Sequence, residues 1–239
     1  IMIMQNSKLW LTGLLSGWLL LAGTPSYGVD RVKLATQLWP PYQTLDDGVM
    51  GGVVLERVQC TLRRMQQPYE LNMMRWDSAQ LLVESGKMDG FFAGSKNSAR
   101  ARYAEPSEPV ISEGLSWFFN PGVNLNANDE SSKYKARFGA KFNTSKWLFL
   151  KKNGYNVIKK PRDAEALLRM LWQGDIDVAL EYELVFEHSM KQAGIPTDYF
   201  RRVPVKTQDL SVHFSKNFLK ENPGFLDSFN QALRRCKQG

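Results

Sequence analysis

Leu82-Val83-Glu84-Ser85-Gly86-Lys87-Met88-Asp89-Gly90-Phe91 and Leu171-Trp172-Gln173-Gly174-Asp175-Ile176-Asp177-Val178-Ala179-Leu180 follow one plan. Each is the end of a helical pattern, then a glycine, two residues, an aspartate and an apolar strand. Glycine stops a helix because it enters the left-handed backbone region at no steric cost. One such turn is an ordinary connection between a helix and a strand. Two of them, each late in its own run of strand and helix signals, predict two similar α/β lobes.

The signals around the first copy read outward in order. Val32 to Leu38 alternates as a strand and stops at Trp39-Pro40-Pro41-Tyr42, because proline removes ladder donors. Asp46-Asp47-Gly48 is a turn, and Gly51-Gly52 opens a helix from Val53 to Gln66. A strand from Tyr69 to Met74 precedes a helix from Trp76 to Ser85 with Asp77 near its start, and Gly90 to Gly94 is a buried strand. Around the second copy, Arg137 to Lys141 is a strand and Asn143-Thr144-Ser145 opens a helix to Lys152. Val157-Ile158 is a short strand, Asp163 caps a helix to Gln173, and Asp177 to Leu180 is the next strand. Val110 to Phe119 and Val203 to Phe214 are extended, Asn120 to Ser132 is a polar loop, and Pro223 to Lys237 is a final helix. Two extended crossings between two α/β units make a hinge. The expected division is lobe one over 29–113, lobe two over 114–206, and a return to lobe one over 207–239.

The N-terminus reads as an address. Lys8 precedes an apolar run from Leu9 to Ala22, followed by small residues including Ser26 and Gly28. A positive start, this run and small residues at the cut describe a cleaved secretory signal peptide over 1–28. Fourteen residues rise only about 21 Å as a helix, short of the hydrocarbon core, which argues against an anchor. The protein is therefore expected in the periplasm.

Of the 239 residues, 43% are hydrophobic and 23% charged, which excludes wholesale disorder. The formal charge of +7 falls to +6 without Lys8, and its basic residues are scattered in short pairs such as Arg63-Arg64 and Lys159-Lys160. A nucleic-acid binder gathers them on one face, so a solvated surface with mild attraction for anions is the reading here. Two histidines, His188 and His213, have no ligand-like spacing, and the two cysteines form no metal motif. Export permits a disulfide between Cys60 and Cys236, and two buried free thiols remain the alternative.

With these pieces in order, the sequence resembles the type II periplasmic solute-binding proteins, specifically the extracellular family-3 group related to polar amino-acid binders of ABC importers. The markers are Trp39-Pro40-Pro41-Tyr42 with Asp47-Gly48 and Gly52; Gly86-Lys87-Met88-Asp89-Gly90-Phe91-Phe92; Ser95-x4-Arg100 with Tyr103 and Ser107-Glu108-Pro109; Gly139-x3-Asn143-Thr144; and Phe214-Ser215-Lys216. Their order and spacing carry the resemblance over nearly all of 29–239. It implies two lobes, each a mixed sheet flanked by helices, joined by two crossings and closing on a small solute. It also implies no catalysis, no cofactor, a monomer, and delivery of the solute to an inner-membrane permease or a receptor.

The resemblance gives Arg100 the solute carboxylate, for which a guanidinium offers two parallel hydrogen bonds. Ser95 and Asn97 follow the buried strand, where a loop faces a ligand, although local capping explains them equally. Asn143 and Thr144 precede a helix whose free amides suit an anion, with a plain helix cap as the alternative. The family carries a Gly where Asn143 stands. Trp39, Tyr42 and Trp76 are candidate flat walls, while Trp117 reads as core. Amino-acid binders of the family have an aspartate for the solute ammonium five residues after Asp177. Here that residue is Tyr182, and strand alternation puts Glu181 and Glu183 on the opposite face. A dicarboxylate, a modified amino acid or an aromatic acid therefore stands level with a standard amino acid.

Two rival functions remain. The chain has no G-x-S-x-G, P-loop, G-x-G-x-x-G or H-E-x-x-H motif. A dehydratase-like enzyme on the same fold would have to use a cleft carboxylate such as Glu56, Glu181 or Glu183. A periplasmic sensor that docks on a signalling receptor is the other.

Overall fold

The computed structural model describes residues 31–237. The leader expected over 1–28 lies outside the described residues. β1 (Val32–Thr36) is followed by a hairpin of β2 (Thr44–Asp46) and β3 (Val49–Gly51), then α1 (Val53–Arg64), β4 (Tyr69–Met73), α2 (Trp76–Glu84) and β5 (Gly90–Gly94). A 3-10 turn at Arg100–Arg102 leads into the long β6 (Ala104–Phe119). Next come α3 (Glu130–Lys135), β7 (Phe138–Gly139), α4 (Ser145–Lys152), α5 (Ala164–Trp172), β8 (Val178–Tyr182) and α6 (Glu183–Gln192). The long β9 (Arg201–Ser215), α7 (Lys216–Glu221) and α8 (Phe225–Cys236) complete the described chain.

Seven strands form one sheet in the order β4-β1-β5-β9-β6-β8-β7. β1 is parallel to β4 and β5, and β7 is parallel to β8. Between these two parallel groups, β6 and β9 run antiparallel to each other, and each pairs with one group. They are the two crossings, so the fold is a two-lobed α/β structure whose lobes share a mixed sheet. The β6–β9 ladder shifts register near Pro106–Pro109, Pro109–Ile111 and Leu115–Ser116. Such bulges bend a strand and loosen its ladder locally. β5 and β8 are buried on both faces; β5 is apolar throughout, and β8 is interrupted only by Glu181.

The repeated glycine–aspartate turn has the same geometry twice. Gly86 and Gly174 have φ of 73° and 74°. Three residues on, Asp89 accepts from the Lys33 backbone N–H at 2.8 Å, and Asp177 accepts from the Arg137 N–H at 2.7 Å. The backbone N–H groups of Asp89 and Asp177 donate back to the carbonyls of Lys33 and Arg137 at 2.9 and 2.8 Å. Each aspartate therefore ties the start of one parallel strand to the start of its neighbour, β1 to β5 and β7 to β8. The spacing is fixed because the glycine must turn the chain before the carboxylate can reach across.

Several sequence expectations are corrected. Val157-Ile158 forms no strand; Asn156 instead bonds Phe138 and Lys133 through its backbone. The expected strand from Arg137 to Lys141 shrinks to Phe138–Gly139. α3 occupies the end of the expected 120–132 loop and runs past it. Asp77 lies inside the first turn of α2, paired with Arg75, and does not cap it. β8 stops at Tyr182, so Glu183 begins α6 and is not a strand residue; its carboxylate accepts from the Ser116 hydroxyl.

α1 packs along α8, and Cys60 is bonded to Cys236, with Cα atoms 6.1 Å apart and 176 residues of separation. A loop of this length restrains the unfolded chain strongly. Replacing both cysteines by serine should lower unfolding stability by about 2–5 kcal/mol, read by denaturant titration. An unchanged midpoint would contradict a stabilising role for the bridge.

His213, on β9, stacks on Phe91 at 4.9 Å, and its Nε2 lies 3.0 Å from the Gly94 carbonyl. Burial, with the charge of Arg100 added, lowers its pKa to about 4 from the ordinary 6.5. Between those values the unfolded chain binds a proton that the folded chain does not, so stability is lost as pH falls from 6.5 to 4. The loss should reach about 3 kcal/mol and be absent from His213→Gln. Parallel stability–pH curves for the two proteins would refute it.

Candidate functional site

The cleft between the lobes opens at the ends of β5 and β8. Arg100 stands there on the 3-10 turn, 4% exposed. Its Nε donates to Gln80 Oε1 at 3.0 Å and its Nη1 to the Ser95 carbonyl at 2.5 Å. The guanidinium carbon lies 5.1 Å from the Trp76 ring centre and 5.7 Å from that of Phe91. Burial lowers its pKa to about 10, so it stays charged at neutral pH. Among the described residues, no carboxylate forms an ion pair with Arg100, and its side-chain hydrogen bonds come from Nε and Nη1. A buried cation is ordinarily paired, so this one is held by dipoles and ring faces alone.

The opposite wall is the start of α4. Thr144 caps that helix, accepting from the Trp147 N–H at 3.3 Å and donating to the Lys141 carbonyl at 2.7 Å. Asn143 takes the left-handed φ of 59°, which asparagine tolerates better than most residues. Ser145 Oγ meets the first wall: Ser95 Oγ donates to it at 2.9 Å and Asn97 Nδ2 at 3.1 Å, with Arg100 Nη1 at 3.4 Å.

Lys146 is the second buried cation, 4% exposed. It donates to Oε1 of the fully buried Glu181, and its Nζ lies 4.1 Å from the Tyr182 ring centre and 5.1 Å from that of Trp39. Burial lowers its pKa, and Glu181 opposes that shift. Glu181 Oε1 also accepts from the Tyr182 N–H at 2.8 Å, while Oε2 is buried without a hydrogen-bond partner. Lys141 donates to Gln37 Oε1 across the lobes. Burial, then the nearby Lys146, lowers its pKa to about 8.

These walls meet around a cavity of only about 20 Å3, room for about one water molecule, so a solute enters only when the walls part. Of the candidate site residues, Arg100, Ser95, Trp39, Trp76, Thr144 and Tyr182 line it. Four other expected residues do not. Tyr42 is fully buried behind Trp39, its ring 5.0 Å away and edge-on. Asn97 accepts from the Arg100 N–H at 2.9 Å and so caps the turn. Asn143 is exposed beside α4, and Glu181 lies beneath Lys146. Sequence reading missed Ser145, Lys146, Gln37 and Leu210, which line the cavity, and Lys141 behind them. One signal for Lys146 was available: a lysine in the first turn of a helix opposes the helix dipole and calls for another reason to be there. A larger open depression of about 520 Å3 beside α8, at Arg64, Glu221 and Arg235, is a groove lined by exposed charges.

Among the described residues no three His, Cys, Asp or Glu side chains form a metal-binding group, and no helix is long and apolar enough to cross a membrane.

No curated protein matches the chain at the sequence level. Solved structures share its fold. An ancestral arginine-binding protein bound to arginine is 18% identical, with a TM-score of 0.73 over 88% of this chain and 93% of that one. A histidine kinase sensor domain with similarity to periplasmic binding proteins is 17% identical, with a TM-score of 0.74 over 87% and 90%. The arginine-, lysine-, histidine-binding protein ArtJ from the thermophilic bacterium Geobacillus stearothermophilus is 15% identical, with a TM-score of 0.72 over 87% and 90%. The sequence model of bacterial extracellular solute-binding proteins, family 3, matches residues 32–239, and the chain belongs to that family.

Proposed function

We propose that the protein is an exported binder that captures a small carboxylate-bearing solute between its lobes, without catalysis, and passes it to an ABC-type permease. The observation that carries this reading is Arg100: a charged guanidinium, buried on the wall of the interlobe cavity, with no carboxylate partner among the described residues. A solute carboxylate would supply the missing charge. Ser95 and Ser145, one on each wall, would then contact the same solute, so binding would favour the closed arrangement over the open one.

The amino-acid binders among the structural neighbours support a small polar solute, and family membership supports an extracellular setting. The apolar run behind Lys8 supports a leader over 1–28, and the paths of β6 and β9 support lobe limits at 29–113, 114–206 and 207–239. Delivery to a signalling receptor is the second reading, favoured by the similarity to a histidine kinase sensor domain.

A thermal-shift and calorimetric screen of organic acids and amino acids tests the proposal. One of them should stabilise the protein saturably, by about 2.7 kcal/mol at a hundredfold excess over Kd. Arg100→Ala should weaken that binding by about thirtyfold or more while circular dichroism shows the fold intact. Binding that survives Arg100→Ala, or the absence of any hit, would overturn it.

A further inference from the structure

The cleft already contains an ammonium group, and it belongs to the protein. Lys146 lines the cavity, whereas Glu181, its carboxylate partner, is fully buried beneath it and does not. The ring faces of Trp39 and Tyr182 bracket the Lys146 ammonium. Glu181 is the one carboxylate hydrogen-bonded to a cavity-lining cation among the described residues, and Lys146 holds it. Arg100, Lys141 and Lys146 therefore stand around the cleft as three buried cations against one fully buried anion, Glu181, with the half-buried Glu113 of β6 the other carboxylate felt at Tyr182. Of the two other acids felt at Lys141, Asp77 is bonded to Arg75 and Asp163 to the first turn of α5.

We infer that Lys146 is a specificity-determining residue, and that the solute is a small organic acid carrying two anionic groups and no amine. This rests on the proposed function and deepens it. One anionic group meets Arg100, and the second meets the ammonium of Lys146. An α-amino acid would instead bring its own ammonium against Lys146, with the neutralising carboxylate already taken. That repulsion is a discriminating device in its own right, because specificity comes as much from what a site refuses as from what it accepts. Tyr182 contributes by lying flat beneath the ammonium, where a carboxylate would have bound a solute amine instead.

Matched pairs test this by calorimetry on the wild-type protein at pH 7: succinate against aspartate, and glutarate against glutamate, which differ only in the amine, with arginine as a cationic control. A diacid should bind at least about tenfold tighter than its amino counterpart. Lys146→Met combined with Glu181→Gln removes the pair without leaving a lone buried charge. It should lose at least about tenfold of the diacid affinity and gain no amino-acid binding. Lys146→Met alone frees Glu181 and should shift preference toward the amino acid; if it does not fold, the double variant decides. Arg100-dependent binding in which the amino acid matches or exceeds the diacid would overturn this inference and leave the proposed function standing. So would a double variant that keeps its diacid affinity. Binding of no acid at all would overturn both.

Discussion

The structure turns on a guanidinium taken out of water with no carboxylate to meet it. Burial alone disfavours a charge, and the lowered pKa of Arg100, about 10, records that. What keeps the group charged and still is a ring of neutral partners: the Gln80 amide, the Ser95 carbonyl, and the faces of Trp76 and Phe91. Each comes from an element whose position the fold fixes independently. Gln80 and Trp76 sit on α2, Phe91 on β5, and Ser95 just after it. In the proposed function the arginine is thus aimed before any solute arrives, which reduces the ordering cost of binding.

Aiming also depends on how the two lobes are built and joined. In each lobe a left-handed glycine and an aspartate three residues after it lock two parallel strands into register, and the carboxyl end of the locked strand feeds the cleft. β5 leads to Ser95 and Arg100, and β8 ends on Glu181 and Tyr182. Ligands of open α/β sheets gather at such strand ends. β6 and β9 carry the chain between the lobes, and their register shifts divide a long ladder into shorter stiff pieces. Lobe movement about those shifts would be a hinge motion, with the contacts of Ser145 to Ser95 and Asn97 made or broken as it proceeds.

Much of this was legible in the sequence, because it rests on local rules. The paired turns, the Asp163 cap and the buried strands follow from backbone preference and apolar runs. The place of Arg100 on the cavity wall was legible through its motif. The Lys146–Glu181 pair was not, since the two residues lie 35 apart and meet only when α4 packs over β8. Strand alternation turned Glu181 away from Tyr182 correctly, but it could not say that a lysine waited there. It also failed at Glu183, where the chain changes from strand to helix after one residue and the alternation no longer applies. Tyr42 was misread because its neighbours in sequence suggested a rim, whereas α1 closes over its carbonyl and buries it. Asn143 was a candidate because it precedes the free amides of α4, but it is exposed there in a left-handed backbone that asparagine tolerates.

A crystal structure of the protein with its tightest-binding acid is the most direct measurement. The account predicts a carboxylate of the solute within about 3 Å of the Arg100 guanidinium, in charge-assisted hydrogen-bond geometry, with atoms of Ser95 and Ser145 on either side of it. A solute bound elsewhere, or bound in the cleft while Arg100 keeps only the partners Gln80 and Ser95, would contradict it.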